Sequence, residues 1–411
     1  TYVDDPWCAS AGTEARVTTN FAMVALTWLV LGFPLAFHKA QRAPKLSWIG
    51  MSLHADYVNK QVIAEVPEEK ITELKSLVDG IIADNKVKIK AMRTFTGKVE
   101  SLASLLYSLR PFISPLWAAL SADHSAVEYG FMWTKPVIHA LLWLRAFFYS
   151  TGSGPIRRVF TLAAYLNQGE EMAIVVDACP YIIGGYIIVA GVAKFYFADR
   201  ISEHDALILG ITPGTAEAQQ CCECLAAVVA LRLWRHLWKD SRIHLRVKAD
   251  NITTLTMLRK LRVKGTGLVL LAQECALDVA HASYEPDILE HTPGVQNVTA
   301  DMLSRKHDPN KEFVLPDCLK DAEEMVPPVR DISWYISSTP PSPSASPNGS
   351  FNLKDLPFQS QYFRRCVFDQ LLLLACACPC ASSRFQPVLA HLRIRPVDAF
   401  SMSLPVEFLP A

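Results

Sequence analysis

The sequence predicts a mixed α/β fold for residues 172–306, because apolar strand-like stretches there alternate with segments of helical periodicity. The strand-like stretches are residues 173–177, 186–190, 192–198, 243–249 and 284–290. The helical stretches are residues 216–238, 251–260, 267–281 and 297–305. The first three strands follow one another closely, which predicts an antiparallel meander that turns at Gly184 and Gly185. The expected architecture is a mixed five-stranded sheet with flanking helices.

The residues before this region are predicted to be mainly helical. The helical patterns are residues 14–31, a segment opened by Pro67, residues 90–109 and residues 126–149. A strand is predicted to end at His38 and Lys39, and a hairpin-like alternation covers residues 45–66. A helical bundle without chemistry is the alternative interpretation of this part of the chain.

The charged residues are balanced overall but unevenly placed. The formal net charge is zero, so no global field indicates a nucleic-acid partner. Between residues 242 and 264, however, seven Lys and Arg accompany a single acid, Asp250. Such a run is either a solvated face or, beside a carboxylate site, a set of phosphate contacts.

The cysteines and the apolar runs indicate an intracellular protein, cytoplasmic or nuclear. The 11 cysteines show no disulfide spacing and are therefore expected to be reduced thiols. The longest apolar run, residues 21–37, is broken by Gly32 and Pro34. It is short for a membrane span, so no membrane partner is expected.

Four acids and one histidine stand at chemically useful places in the predicted elements. Asp177 ends the first strand, Glu223 lies on the buried helix, Asp250 follows the fourth strand, and Asp301 belongs to the last helix. Carboxylates grouped in one pocket repel one another, and divalent cations relieve that repulsion. His291 lies on a loop, from which it could deliver or remove a proton.

Each of these residues also has an interpretation that needs no chemistry. Asp177 could end a strand, and Glu223 could pair with an arginine. Asp250 could be a helix N-cap, and Asp301 could be a surface acid. Glu217 is a neighbouring alternative to Glu223.

The motifs around the four acids resemble the ribonuclease H domain of retrotransposon polyproteins. DAC with a following Gly-Gly, ECLAAVVALRLW, KADN and NVTADMLSR occur in the order of that family's four acidic motifs. The predicted elements also follow the family's order, which is three strands, helix, strand, helices, strand and helix. The chain departs from the family at Cys179, Pro180 and Tyr181, which leaves its substrate contacts open.

The resemblance implies endonucleolytic hydrolysis of the RNA strand of RNA–DNA hybrids, with two Mg²⁺ ions and Mn²⁺ as a substitute. It implies that Asp177 bridges both ions. Glu223 and Asp250 would complete one metal shell and Asp301 the other, while His291 would shuttle protons at product release. The expected nucleic-acid contacts are Lys248, Asn251, Asn297 and Arg305.

The beginning of the chain resembles the back half of a reverse transcriptase. The tetrad YVDD contains Asp4 and Asp5, a pair of carboxylates that could bind divalent metal. KIKAMRTFTGKVESLASLLYSLRPFISPLWAAL is similar to the thumb of retrotransposon polymerases. The fingers and the first palm aspartate would precede this tetrad, so we expect no polymerase activity from this chain alone. The missing N-terminal polymerase half would be its natural structural partner.

The resemblance implies five segments. They are a partial palm at 1–66, a helical thumb or connection at 67–150, a linker at 151–171, a ribonuclease H-like domain at 172–306, and a Pro-rich, disordered tail at 307–411.

Two further functions remain open at the level of the sequence. One is a catalytically inactive, nucleic-acid-binding remnant of a retroelement. The other is a different metal nuclease or an integrase with the same fold. The position of Glu223, on the helix after the three-strand meander, favours the ribonuclease H branch over the latter.

Overall fold

A computed structural model describes most of the chain before residue 339. The described residues are 8, 10, 12–48, 50–149, 156–161, 170–238, 243–281, 286–308 and 312–338. Asp4 and Asp5 lie outside them. The chain divides into two compact units, whose described parts are residues 8–56 and 57–338. The fold is mixed α/β, as the sequence predicts.

The first unit contains one helix and one hairpin. Helix α1 (Glu14–Val30) is capped by the Thr13 side chain. Strands β1 (Lys45–Trp48) and β2 (Met51–Asp56) form an antiparallel pair. The predicted strand ending at His38 and Lys39 is wrong, because residues Phe37–Lys39 form a 3-10 turn. None of the helices in the described ranges is long and apolar enough to cross a membrane.

The second unit begins with four helices and four short strands. The helices are α2 (Glu68–Ala83), α3 (Ile89–Ala103), α4 (Arg110–Leu120) and α5 (Ile138–Tyr149). The strands are β3 (Gln61–Glu65), β4 (Lys86–Lys88), β5 (Phe131–Trp133) and β6 (Arg157–Thr161). Strand β3 pairs with β6 and β4 with β5, all antiparallel. The predicted linker, residues 151–171, therefore contains a paired strand.

Three features of the helical part differ from the prediction. The helix predicted over residues 90–109 ends at Ala103, and residues Tyr107–Leu109 form a 3-10 turn. Residues 126–149 are not one helix, because strand β5 precedes a turn and α5 begins only at Ile138. Pro136 lacks a backbone donor, which suits the start of a helix and not its interior. Helix α4 was not predicted. Its Phe112 packs against Trp143 and Phe147 of α5, with ring centroids 5.8 Å and 5.4 Å apart.

A six-stranded sheet forms the core of the region that carries the predicted site. Its strands are β7 (Glu170–Ala178), β8 (Ile182–Val189), β9 (Val192–Arg200), β10 (Ile243–Ala249), β11 (Pro286–His291) and β12 (Glu323–Glu324). The spatial order is β11-β10-β7-β8-β9-β12. Strands β7, β8 and β9 form the predicted antiparallel meander, while β10 runs parallel to β7 and β11 parallel to β10. The carboxyl ends of β7, β10 and β11 therefore lie at one edge.

The predicted turn at Gly184 and Gly185 is wrong. The chain turns at residues 179–181, and both glycines lie inside β8. A Cβ atom on Gly184 would lie 2.7 Å from the backbone of Leu303 and of Ser304. The glycine is therefore needed for close packing and not for a turn.

The described residues after β7 contain five α-helices. They are α6 (Glu203–Leu209), α7 (Ala216–Leu233), α8 (Ile252–Lys260), α9 (Thr266–His281) and α10 (Val298–Leu303). Helix α6 was not predicted, although Ser202 and Asp205 form a capping box at its start. Helix α7 is buried, as predicted. Burial raises the pKa of its Cys222 and Cys224 thiols to about 12, so both are unreactive.

Residues 312–338, named the strap here, correct the prediction of a disordered tail from residue 307. The strap supplies β12, which pairs with β9. Its Arg330 and Tyr335 are 3% and 0% exposed. Its Ser337 carbonyl accepts a hydrogen bond from Trp143 Nε1 at 2.9 Å. The strap is thus part of the folded unit, whereas the Pro-rich residues 339–350 lie outside the described residues.

Candidate active site

Asp177 lies near the carboxyl end of β7, and the residue is 7% exposed. The Ser304 hydroxyl donates a hydrogen bond to Asp177 Oδ2 at 2.8 Å. Gly184 is the register partner of Asp177 on β8. Because Gly184 has no side chain, the end of α10 can approach the sheet closely enough for Ser304 to reach this buried carboxylate.

Glu223 lies on α7, and the residue is 8% exposed. Gln219, one turn earlier, donates from Nε2 to Glu223 Oε1 at 2.9 Å. The same Nε2 lies 2.5 Å from the Ala178 carbonyl oxygen at the end of β7. Glu223 Oε2 is buried and makes no hydrogen bond of good geometry in the described part of the chain. The amide therefore joins the helix acid to the strand that carries Asp177.

Asp250 and His291 meet at the carboxyl ends of two parallel strands. Ala249 of β10 is the register partner of His291 on β11. His291 is exposed, and its Nε2 lies 2.9 Å from the Asp250 carbonyl oxygen. A Cβ atom on Gly294 would lie 3.4 Å from Asp250 Oδ2, so the loop after β11 covers this carboxylate. The prediction that His291 lies on a loop is wrong, because it is the last residue of β11, but it does lie beside one of the predicted acids.

Asp301 lies in the first turn of α10 and is partly exposed. Arg305 donates to Asp301 Oδ1 from Nε at 2.8 Å and from Nη2 at 2.6 Å. The side chains of this pair are 43% and 45% exposed. The ion pair directs the Asp301 carboxylate towards the residues that follow α10.

The pKa values of the two buried acids are raised for the same two reasons, burial and neighbouring carboxylates. Burial raises the pKa of Asp177 to about 6, and the Ser304 hydrogen bond opposes that rise. The charges of Asp250 and Asp301 raise the pKa of Asp177 further. Burial likewise raises the pKa of Glu223 to about 7, and the charges of Asp250 and Asp177 add to the rise. The side chains of Gln219 and Asn251 oppose it by hydrogen bonding. The structure therefore brings the four acids into electrostatic contact at one edge of the sheet.

The donor atoms of this edge fit a hard divalent cation. A buried carboxylate oxygen without a donor, such as Glu223 Oε2, is costly unless a cation or a ligand donor meets it. Oxygen donors alone suit Mg²⁺. As the side chains lie, however, no three Asp, Glu, His or Cys residues in the described ranges are grouped tightly enough to hold a metal. Arg305 holds Asp301, and Ser304 occupies one oxygen of Asp177.

The residues expected to contact nucleic acid have different surroundings. Asn297 is 3% exposed and donates from Nδ2 to the Val176 carbonyl at 3.2 Å. Its side chain therefore lies inside the domain, not on the surface where we expected a contact. Asn251 caps α8 by accepting from the Thr253 backbone at 2.6 Å. Lys248 pairs with Glu290 at 3.3 Å, and its side chain is 29% exposed.

Sequence reasoning missed two residues that hold the carboxylates, Ser304 and Gln219. Ser304 follows three residues after Asp301, and Gln219 precedes Glu223 by one helical turn. That spacing was a usable signal for Gln219, because residues four apart share a helix face. Nothing local indicated that Ser304 would reach Asp177, which is 127 positions away.

Comparisons with known proteins identify neither a family nor a curated relative. No family model matches the sequence, and no curated protein matches it. Among solved structures, the foamy viral protease-reverse transcriptase in complex with an RNA/DNA hybrid matches over 78% of this chain, at 13% identity and a TM-score of 0.26. The foamy viral protease-reverse transcriptase dRH in complex with ds DNA matches over 57%, at 13% identity and a TM-score of 0.20.

The chain covers 36% of the length of each of these two structures. At this identity and these TM-scores, the similarity does not establish a common fold or function. The described residues define a mixed α/β protein with four acids at one sheet edge, and no narrower class follows from the comparisons.

Proposed function

We propose that residues 172–306 form a ribonuclease H-like domain that hydrolyses the RNA strand of RNA–DNA hybrids in the presence of Mg²⁺. The observation that carries the proposal is the grouping of two buried acids, Asp177 and Glu223, beside Asp250 and Asp301. The pKa of each buried acid is raised by burial and by neighbouring carboxylates. Such a group favours a divalent cation, because the cation offsets both effects.

Each residue of the site would have its own role in this hydrolysis. Asp177, Glu223 and Asp250 would hold the cations, and Asp301 would join them once its carboxylate turns away from Arg305. Bound Mg²⁺ would neutralise the scissile phosphate and lower the pKa of the attacking water. His291, exposed beside Asp250, would accept or return a proton at the open side of the site.

The proposed substrate is a hybrid because the A-form RNA strand presents its 2′-hydroxyls in a wide, shallow groove. Lys248 and Arg305 are partly exposed bases near Asp250 and Asp301 in the sequence, and they could contact the flanking phosphates. Three further points stay predictions. They are the resemblance to a reverse transcriptase before residue 150, the domain boundaries, and the site at Asp4 and Asp5.

A hybrid-cleavage assay on the full chain tests the proposal. Wild-type protein should cut the RNA strand of a hybrid with Mg²⁺ and should not cut it with EDTA. Asp177→Asn and Glu223→Gln should each lose the activity while retaining the circular dichroism spectrum of the wild type. Equal cutting of single-stranded RNA would contradict the hybrid assignment.

A second candidate function is hybrid binding without hydrolysis. The observation that favours it is the pair of contacts that hold Asp301 on Arg305 and Asp177 on Ser304, which leaves no three acids grouped for a metal. Under this alternative, the hybrid binds with strong salt dependence and no divalent cation produces turnover. The same assay, combined with a binding titration at two salt concentrations, separates the two functions.

A further inference from the structure

We infer that Gln219 is a positioning residue for the divalent-cation site, an inference that rests on the function proposed above. Its Nε2 joins two elements of that site. It lies 2.9 Å from Glu223 Oε1 on its own helix and 2.5 Å from the Ala178 carbonyl oxygen on β7. The amide therefore sets both the distance between the helix and the strand and the direction of the Glu223 carboxylate.

The orientation of the Gln219 amide is fixed by its two neighbours. Both are acceptor oxygens, so the amide must present its nitrogen to them and not its oxygen. This orientation leaves Gln219 Oε1 buried without a hydrogen-bond partner in the described part of the chain. The orientation serves the acceptors that Gln219 holds.

The two carboxylate oxygens of Glu223 therefore have different surroundings. Oε1 accepts from Gln219, whereas Oε2 is buried and makes no hydrogen bond of good geometry among the described residues, although the Asn251 side chain is close enough to lower the pKa of Glu223. An acid held by one oxygen cannot rotate freely, so its second oxygen stays directed at one point. A carboxylate that binds a cation needs one oxygen held in place and the other available to the cation. Hydrogen-bond partners of a metal ligand supply this orientation.

The neighbouring residue provides a matched control. Gln220 has the same side chain, follows Gln219 directly on α7, and is exposed. Methionine is similar to glutamine in length but donates no hydrogen bond. Gln219→Met removes an amide that contacts Glu223 and the Ala178 carbonyl, whereas Gln220→Met removes an exposed amide from the same helix. Gln219→Glu, which keeps the shape and loses the donors when ionised, serves as a second variant.

The experiment measures Mn²⁺ binding to the full chain by isothermal titration calorimetry, at a temperature where every variant is folded. We expect Gln219→Met to weaken Mn²⁺ binding about 10- to 100-fold, the range seen when a residue behind a metal ligand is lost. For hybrid cleavage, kcat should fall while KM stays near the wild-type value. Gln220→Met should match the wild type in all three quantities.

The possible outcomes separate this inference from the proposed function. If Gln219→Met and Gln219→Glu bind Mn²⁺ as tightly as the wild type, Gln219 is structural and the inference fails, even if the melting temperature falls. If the wild type binds Mn²⁺ but cuts no hybrid, the proposed function fails, and the affinities still decide the role of Gln219. If the wild type binds no divalent cation, the inference about Gln219 and the proposed function both fail.

Discussion

Ser304 and Asp177 connect the last helix of the sheet region to its first strand by a buried hydrogen bond of 2.8 Å. The two residues are 127 positions apart, so the bond exists only in the folded chain. It depends on Gly184, because a larger residue there would push the end of α10 away from the sheet. The packing of α10 against the sheet and the hydrogen bond to the Asp177 carboxylate therefore depend on each other. Several substitutions can test this dependence.

Ser304→Ala should destabilise the protein by about 1–3 kcal/mol, because the buried Asp177 carboxylate loses its donor. The loss should be larger at pH 8 than at pH 4, since an ionised carboxylate accepts more strongly than a protonated one. Urea unfolding at the two pH values measures both effects. Ser125→Ala is the control, because its hydroxyl makes an equally short bond to Asp123 in an exposed turn. Equal losses for the two variants would contradict the prediction.

Asp177→Asn should stabilise the metal-free protein at pH 8. Burial raises the pKa of Asp177 to about 6 in the folded state, so the fold favours the protonated acid. The stability that this preference contributes is complete below about pH 4 and is lost as the pH rises through about 6. The variant should therefore exceed the wild type by about 2–3 kcal/mol at pH 8 and equal it near pH 4.

Unfolding in EDTA across this pH range measures the effect. Glu223→Gln should behave similarly over a slightly higher range, because burial raises the pKa of Glu223 to about 7. A difference between variant and wild type that does not depend on pH would show that ionisation of these acids is not its cause.

Gly184→Ala should destabilise the protein by about 1–3 kcal/mol, the usual cost of forcing a methyl group into a packed interior. The added Cβ atom would lie 2.7 Å from backbone atoms of Leu303 and Ser304, which cannot move aside as a flexible side chain could. Gly97→Ala is the opposite case. It lies in α3 with nothing within 4 Å of the added atom, and it should stabilise the helix by about 0.5–1 kcal/mol. Thermal unfolding of both variants tests the pair, and a stabilising Gly184→Ala would refute the packing argument.

Arg330→Met should destabilise the protein by about 3–5 kcal/mol, because Asp205 would remain buried without its cation. Arg330 Nη2 lies 2.9 Å from Asp205 Oδ2, and the two side chains are 2% and 0% exposed. Adding Asp205→Asn to this variant should recover part of the loss. Lys320→Met, which removes an exposed ion pair elsewhere in the strap, should have little effect. Urea unfolding is the measurement, and a similarly small effect of Arg330→Met would mean that the strap is not integral to the fold.

Local patterns in the sequence predicted much of the architecture but few of its contacts. The meander, the buried helix around Glu223 and the hairpin after residue 45 follow from periodicity, which depends on neighbouring residues only. Helix α4 was missed because Pro111 and Pro115 lower its local propensity, which tertiary packing of Phe112 overrides. The strap was missed for a related reason. Its acidic and proline-containing sequence has no periodicity, and Arg330 is ordered by acids about 125 positions away.

The sequence by itself determined the alternation of strands and helices, the order of the four acids along the chain, and the placement of Asp177 and Asp250 at strand ends. Only the tertiary structure decided that Gly184 is a packing position, that Asn297 is buried, and which side chains hold the acids. The physical reason is that periodicity and strand ends are local properties of the chain. Burial and hydrogen bonds between distant segments depend on how the elements pack together.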